Sequence, residues 1–164
     1  ISRMRVTKDG VHFANGSTTG TASSSSTGLD YYEEGTFTPS FSLGTSITLT
    51  LNSSYNTLAY TRIGRLVTIT GELRVQAGYS SESGTVKITN LPFTCASGNQ
   101  FTTSSALVGE FASGGDGVPS MRIEDNTTIL DFGVMDTKTF SASTGAAIFR
   151  TNDIMYINIS YMAS

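Results

Sequence analysis

The chain of 164 residues carries 13 acidic and 10 basic side chains, a formal net charge of −3, one Cys and one His. Charged residues make up only 14% of the sequence, against about 25% in an ordinary soluble domain. The absence of a basic cluster argues against a nucleic-acid partner. A single Cys excludes an internal disulfide, and without a run of about 18 apolar residues we expect no membrane insertion.

Residues 1–35 are predicted to form an extended N-terminal arm with a linker. Asp9 and Gly10 favour a tight turn between two short strand-like pieces. Residues 15–28, NGSTTGTASSSSTG, contain one Ala and no larger apolar side chain, so burial cannot offset the entropy lost when they are ordered. We interpret this stretch as a linker, or as a strand held by neighbouring chains, and place the compact domain at residues 36–164.

The rest of the chain alternates apolar with polar residues, as half-buried strands do. In LVTITGELRVQ, residues 66–76, four apolar residues fall on one face: Val67, Ile69, Leu73 and Val75. Similar alternation occurs at residues 47–51, 86–93, 107–111, 121–123 and 155–161. No window of 11 or more residues has a helical period. The sequence therefore predicts an all-β, antiparallel β-sandwich of about eight strands.

Neither of the two side chains best suited to nucleophilic catalysis has a suitable setting in the sequence. His12 lies in the arm, so a Ser–His or Cys–His arrangement is not expected. Cys95 has no basic neighbour in the sequence, and we interpret it as a small buried hydrophobe.

Carboxylate pairs are candidates for a glycosidase site: Glu33 with Glu34, Glu124 with Asp125, and Asp131 with Asp136. Adjacent residues of a strand point to opposite faces, so the first two pairs are not expected to converge, and solvated turns or caps are the preferred interpretation. Asp116 and residues 124–126 supply oxygens of the kind that bind Ca²⁺, but the DxDxDG spacing is absent. We expect no metal and no other cofactor.

Two glycine-containing loops are predicted to be exposed. Tyr79, in GYSSESG, is the kind of loop aromatic that stacks on sugar faces, although a partly buried packing role is the preferred interpretation from the residues alone. The stretch GGDG around Asp116 lacks the GxxxxGK[ST] pattern of a phosphate-binding loop.

Residues 29–39, LDYYEEGTFTP, resemble the LDDYEEGTWTP-type signature of tail fibre and tail-associated proteins of bacteriophages and prophages. In that family a DGVxF segment and a Ser/Thr-rich stretch precede the signature, and Y-T-K-I-G-N-x-V and G-L-P-F elements follow it. This chain has DGVHF at 9–13, the Ser/Thr-rich stretch at 17–27, YTRIGRLV at 60–67 and NLPF at 90–93. Its departures from the pattern include Tyr31, Phe37, Arg65 and Asn90. The resemblance covers residues 9–93.

The resemblance implies a structural, non-enzymatic virion protein: the distal, jelly-roll-like domain of a homotrimeric tail fibre, located in the virion tail. Its implied partners are other tail proteins and a host cell-surface glycan or protein. Adaptable polar loops on a rigid sandwich carry recognition, so we predict receptor contacts at Tyr79, Asn99, Asp116 and Asn126. The alternatives are a trimerisation or assembly module without receptor binding, and a glycan depolymerase.

Overall fold

The computed structural model describes residues 3–7, 10–14, 28–29, 32–42, 49–77, 85–98, 103–110, 118–136, 139–142 and 149–164. These residues form strands and turns without a helix, and every strand pairing among them is antiparallel. The predicted all-β, antiparallel class is confirmed. No helix in the described part of the chain has the length and apolar character needed to cross a membrane.

The described residues contain fifteen strands, of which three form the arm sheet and twelve form the two larger sheets, where the sequence predicts about eight. In chain order they are β1 Arg3–Thr7, β2 Gly10–Ala14, β3 Gly28–Leu29, β4 Tyr32–Phe37, β5 Phe41–Ser42, β6 Thr50–Leu51, β7 Leu58–Ile63, β8 Leu66–Ala77, β9 Lys87–Ile88, β10 Thr103–Ala106, β11 Val108–Glu110, β12 Val118–Ile123, β13 Leu130–Asp136, β14 Thr139–Ala142 and β15 Ile154–Met162. Four of them, β3, β5, β6 and β9, are only two residues long. A two-residue strand is too short to show a period of two, which is why the sequence gives too small a count.

The strands form three sheets. The arm sheet has the order β1-β2-β3. The sheet that we call the β13 sheet has the order β10-β12-β13-β9-β5, with β14 also paired to β13. The β8 sheet has the order β11-β15-β8-β7-β4, with β6 also paired to β8. The two larger sheets carry the residues discussed below.

The longest pairing joins β8 to β15, from Leu66 opposite Met162 to Arg74 opposite Ile154. The predicted apolar face of β8 is buried, as is the alternating set of β15: Met155, Ile157, Ile159 and Tyr161. The alternation predicted for both segments is confirmed. Gly71 interrupts the apolar series of β8 at a φ of 149°, and a Cβ there would lie 2.8 Å from Cδ2 of Leu58. Glycine at this position therefore lets β7 and β8 pack closely.

One hydrophobic core draws side chains from both six-stranded sheets. The β8 sheet contributes the series above, and the β13 sheet contributes Met121, Ile123, Leu130 and Phe132. The ring of Phe132 stacks on Phe41 at 5.9 Å and meets Phe149 edge-on at 5.2 Å. A core shared between two antiparallel sheets is consistent with a β-sandwich.

The predicted division of the chain at residue 36 falls within β4, which is the edge strand of the β8 sheet. Of the predicted arm, β1 and β2 pair with Thr7 opposite Gly10. The predicted linker at 15–28 lies outside the described residues except for Gly28, which lies in β3 and pairs with His12 of β2. The separation into an arm and a domain stays a prediction.

Candidate functional site

Three of the four predicted receptor contacts, Tyr79, Asn99 and Asp116, lie outside the described residues. The fourth, Asn126, is exposed in the turn between β12 and β13 and has a φ of 56°. Asn is among the few side chains that adopt this left-handed region readily.

Hydrogen bonds from the backbone and from one side chain tie the Asn126 turn to residues 95–98. The Asn126 amide donates to the Cys95 carbonyl at 3.0 Å, and the Cys95 amide donates to the Thr127 carbonyl at 2.7 Å. The Gly98 amide donates to Oδ2 of Asp125 at 3.1 Å. The turn therefore lies beside the residue that directly precedes Asn99. A rigid attachment of this kind presents the exposed side chains of the turn without a large ordering cost on binding.

Cys95 is fully buried, as predicted. Burial raises the pKa of its thiol, and the nearby Asp125 carboxylate raises that pKa further. A raised pKa leaves little of the nucleophilic thiolate at neutral pH. The backbone of His12 lies in β2, opposite Arg5 and Gly28.

The two acidic pairs made of sequence neighbours do not converge. Glu33 accepts a 2.7 Å hydrogen bond from the Tyr60 hydroxyl on the core-facing side of β4. Its neighbour Glu34 is exposed and accepts one from the Tyr32 hydroxyl, also at 2.7 Å. Glu124 pairs with Arg122, whereas Asp125 binds the Gly98 amide. Among the described residues no group of three or more His, Cys, Asp or Glu side chains is placed to hold a metal ion.

The expectation of a solvated turn is wrong for Asp131, which is buried in the middle of the β13 sheet. It lies opposite Lys87 of β9 on one side and Arg122 of β12 on the other. Its Oδ1 is 3.0 Å from Nζ of Lys87, and its Oδ2 is 3.4 Å from Nη2 of Arg122. Two flanking cations offset the cost of burying this carboxylate.

The segments that carry the tail-protein resemblance meet in one contact network, which we call the motif junction: Glu33, Gly35, Tyr60, Arg62, Asn90 and Phe93. Strands β4 and β7 pair so that Gly35 lies opposite Tyr60. The Tyr60 ring meets Phe93 edge-on at 5.5 Å. The Arg62 guanidinium lies over the same Phe93 ring, 4.6 Å from its centroid. Residues from all three segments after the Ser/Thr-rich stretch therefore contact one another.

Asn90 fixes the chain on the far side of the same junction. Its Nδ2 donates to the Thr38 carbonyl at 3.0 Å, and its Oδ1 accepts from the Ser40 amide at 2.6 Å. The Thr89 amide in turn donates to the Ser40 carbonyl at 3.0 Å. The residues that end the LDYYEEGTFTP segment are thus tied to the residues that begin the NLPF segment.

Tyr161 of β15 closes the junction from the core. Its hydroxyl donates a 2.8 Å hydrogen bond to the Phe93 carbonyl. Burial raises the pKa of this phenol, and the nearby Arg62 charge offsets only part of that effect. These contacts make the junction a packed structural unit.

The outer face of the β8 sheet, which points away from the core, carries two exposed groups of large side chains. At one end lies an apolar row of cross-strand neighbours: Tyr32, Ile63, Leu66 and Met162. The first three are between 43% and 65% exposed. Near the other end lie Tyr55 and Tyr156, which are 37% and 42% exposed. These residues were not among the predicted contacts. For Tyr156 the sequence did carry a signal of exposure, because this residue falls on the polar face of an alternating strand.

Comparison of the chain with protein-family models and with curated protein sequences finds no match.

Proposed function

We propose that this chain is a structural virion protein, the distal domain of a bacteriophage tail fibre, and that it attaches the virion to a glycan on the host surface. In this proposal the domain is a jelly-roll-like sandwich behind an extended N-terminal arm. It assembles as a homotrimer next to other tail proteins and acts by binding rather than catalysis.

The observation that carries the proposal is the motif junction. The resemblance rests on separate segments, at residues 29–39, 60–67 and 90–93. In the fold these segments pair and pack against one another through Gly35, Tyr60 and Phe93. Chance matches scattered along a chain have no reason to meet in space. Their convergence supports the interpretation that the segments are parts of one inherited structural module.

The apolar row supports the homotrimer. Tyr32, Ile63 and Leu66 lie side by side across three neighbouring strands and are substantially exposed. Contiguous exposed apolar side chains of this kind are typical of protein–protein contacts. Association through the row would remove these side chains from water.

Trimerisation would also serve attachment. Three copies present three binding sites at once, and a second binding event within one particle takes place at a high effective concentration. Individually weak glycan contacts then combine into firm adsorption. The Asn126 turn, held to Cys95 by backbone hydrogen bonds and to Gly98 through the Asp125 carboxylate, is one described part of the predicted contact surface.

The test uses the purified chain of residues 1–164. Light scattering after size-exclusion chromatography measures its mass, and flow cytometry of the fluorescently labelled chain measures adsorption to a panel of bacterial strains. We expect a mass of three times 17.4 kDa and adsorption to a subset of the strains. Removal of surface polysaccharide from an adsorbing strain should abolish the signal.

The outcomes separate the alternatives. A trimer that adsorbs to no strain indicates an assembly module without receptor binding. Release of oligosaccharides from purified surface polysaccharide indicates a depolymerase. A chain that is monomeric and adsorbs to no strain overturns the proposal.

A further inference from the structure

A cluster of exposed aromatic and planar polar side chains lies on the outer face of the β8 sheet, away from the Asn126 turn. It consists of Tyr55, Glu72, Arg74 and Tyr156. From its geometry we infer that this cluster, the tyrosine cluster, is a binding site for a neutral hexopyranose unit. The inference rests on the proposed attachment function and names both a second contact surface and the ligand class.

The Arg74–Glu72 pair forms the polar centre of the cluster. Nε of Arg74 lies 2.5 Å from Oε1 of Glu72, and their side chains are 39% and 29% exposed. A guanidinium has five N–H donors and a carboxylate has several acceptor positions. Side by side, they present both donors and acceptors, which sugar hydroxyls can bind in either role. The opposite charges cancel, so the pair favours a neutral ligand over an acidic one.

The tyrosines lie on either side of this centre. The chain at Tyr55 runs beside β8, where the Arg74 amide donates to the Tyr55 carbonyl at 3.1 Å. Tyr156 lies on β15, directly opposite Glu72. The two backbones are therefore separated by two strand spacings, about 10 Å, a width that accommodates a pyranose ring. An aromatic face is electron-rich and attracts the weakly positive C–H groups of a sugar ring. The Arg74 guanidinium covers one face of Tyr55, so the sugar would contact the opposite face of Tyr55 and the ring of Tyr156.

The site is held in place before any ligand binds. The Tyr55 amide donates to the Asn52 carbonyl at 2.9 Å, and the Asn52 amide donates to the Arg74 carbonyl at 2.9 Å. The Arg74 guanidinium lies 3.8 Å from the centroid of the Tyr55 ring. Tyr55 and Arg74 thus fix each other through both backbone and side-chain contacts. Such preorganisation lowers the ordering cost of binding.

Further hydrogen-bonding groups extend the site along the sheet. Thr70 and Asn158 are cross-strand partners in the row next to Glu72 and Tyr156, and both are exposed on the same face. Hydroxyl and amide side chains both donate and accept hydrogen bonds. A second sugar unit along the strand direction would meet these two side chains.

The experiment measures binding of monovalent probes to the full chain, so that avidity plays no part. Saturation-transfer NMR is recorded with the methyl hexopyranosides of glucose, galactose and mannose, and with methyl glucuronide as the acidic counterpart. The variants are Tyr156→Thr and Tyr55→Leu. The control is Tyr32→Thr, which removes an exposed tyrosine from the apolar row on the same face. Thermal unfolding confirms that each variant folds.

We expect binding of at least one neutral hexoside, weakened about fivefold in each cluster variant and unchanged in Tyr32→Thr. The inference is overturned if no neutral hexoside binds, if only the glucuronide binds, or if the cluster variants bind as the parent chain does. Adsorption to bacteria, measured in parallel, separates the two proposals. If the chain adsorbs to bacteria but binds no hexoside, only the inference of the tyrosine cluster is overturned. If it binds a hexoside but adsorbs to no strain, only the proposed attachment function is overturned.

Discussion

Gly35 of β4 lies directly opposite Tyr60 of β7, and the Tyr60 phenol covers it. A Cβ atom on Gly35 would lie 2.7 Å from the Tyr60 hydroxyl oxygen and 2.9 Å from its ring carbon Cζ. No side chain fits there while Tyr60 keeps its hydrogen bond to Glu33 and its contact with Phe93. The glycine of the LDYYEEGTFTP segment is therefore required by a residue of the YTRIGRLV segment.

Replacement of this glycine tests the relationship. Gly35→Ala should destabilise the fold by about 1–3 kcal/mol, the usual cost of overpacking, as measured by urea unfolding. In a Tyr60→Thr background the obstructing ring is gone, so the same substitution should cost little, or even stabilise the strand. An equal cost in both backgrounds would contradict the proposed contact.

Asn90 should stabilise the fold through both of its side-chain hydrogen bonds. Asn90→Ala removes the contacts to the Thr38 carbonyl and the Ser40 amide, so we expect a loss of about 1–2 kcal/mol in unfolding free energy. Hydrogen exchange at the Ser40 amide should accelerate in the variant. Asn90→Asp keeps the acceptor for Ser40 and should protect that amide better than Ala does; equal exchange in both variants would argue against this bond.

The buried Asp131 should contribute far more to the unfolding free energy than an exposed carboxylate nearby does. Asp131→Asn leaves Lys87 and Arg122 without their shared anion, and we expect a destabilisation of about 1–3 kcal/mol. Glu124, which pairs with the same Arg122 but is exposed, provides the control. Glu124→Gln should cost less than about 1 kcal/mol. Thermal or urea unfolding of the two variants makes the comparison, and similar losses would mean that burial of Asp131 has no energetic weight.

Because Tyr161 is buried, we expect the unfolding free energy of the chain to fall at alkaline pH. Burial raises the pKa of its phenol in the folded chain, whereas in the unfolded chain that pKa is about 10. Below that pH the phenol is neutral in both states and its full contribution to stability is present. Above it the unfolded chain releases the proton first, so stability falls by up to about 1.4 kcal/mol per pH unit until the folded pKa is reached.

The measurement is the unfolding free energy from urea titrations at a series of pH values, from neutral to about 11. It is best made in a Cys95→Ala background. Burial also raises the pKa of the Cys95 thiol, and this raised pKa would add a second loss of stability at alkaline pH. Tyr161→Phe should be less stable at neutral pH, through the lost hydrogen bond to the Phe93 carbonyl, but should show a flatter decline with pH. Parallel pH profiles for the two proteins would refute this assignment.

The apolar row should control association. Ile63→Thr and Leu66→Thr place β-branched Thr in β7 and β8, where it suits a strand, but remove exposed apolar surface from the row. If the chain is a trimer as proposed, these variants should shift its mass toward that of the single chain in light scattering. Tyr156→Thr serves as the control, because Leu66 and the Tyr156 partner Glu72 are six residues apart on β8, about 20 Å. A row variant with the parent's mass would exclude this face as the subunit contact.

The sequence by itself determined the class of fold and the faces of its two longest strands. Period-two alternation in residues 66–76 and 155–161 correctly separates the buried side chains from the exposed ones, because successive side chains of a strand point to opposite faces. It also indicates that Glu33 and Glu34 diverge. None of this requires knowledge of which strand lies next to which.

Only the tertiary structure decided which residues meet across strands. Alternation assigns a face to Asp131, but its burial depends on Lys87 and Arg122 arriving from β9 and β12. The contacts of Tyr55 with Arg74 and of Gly35 with Tyr60 likewise join residues far apart in the chain. Strand partners and register follow from long-range packing of the shared core, and a local pattern carries no information about them.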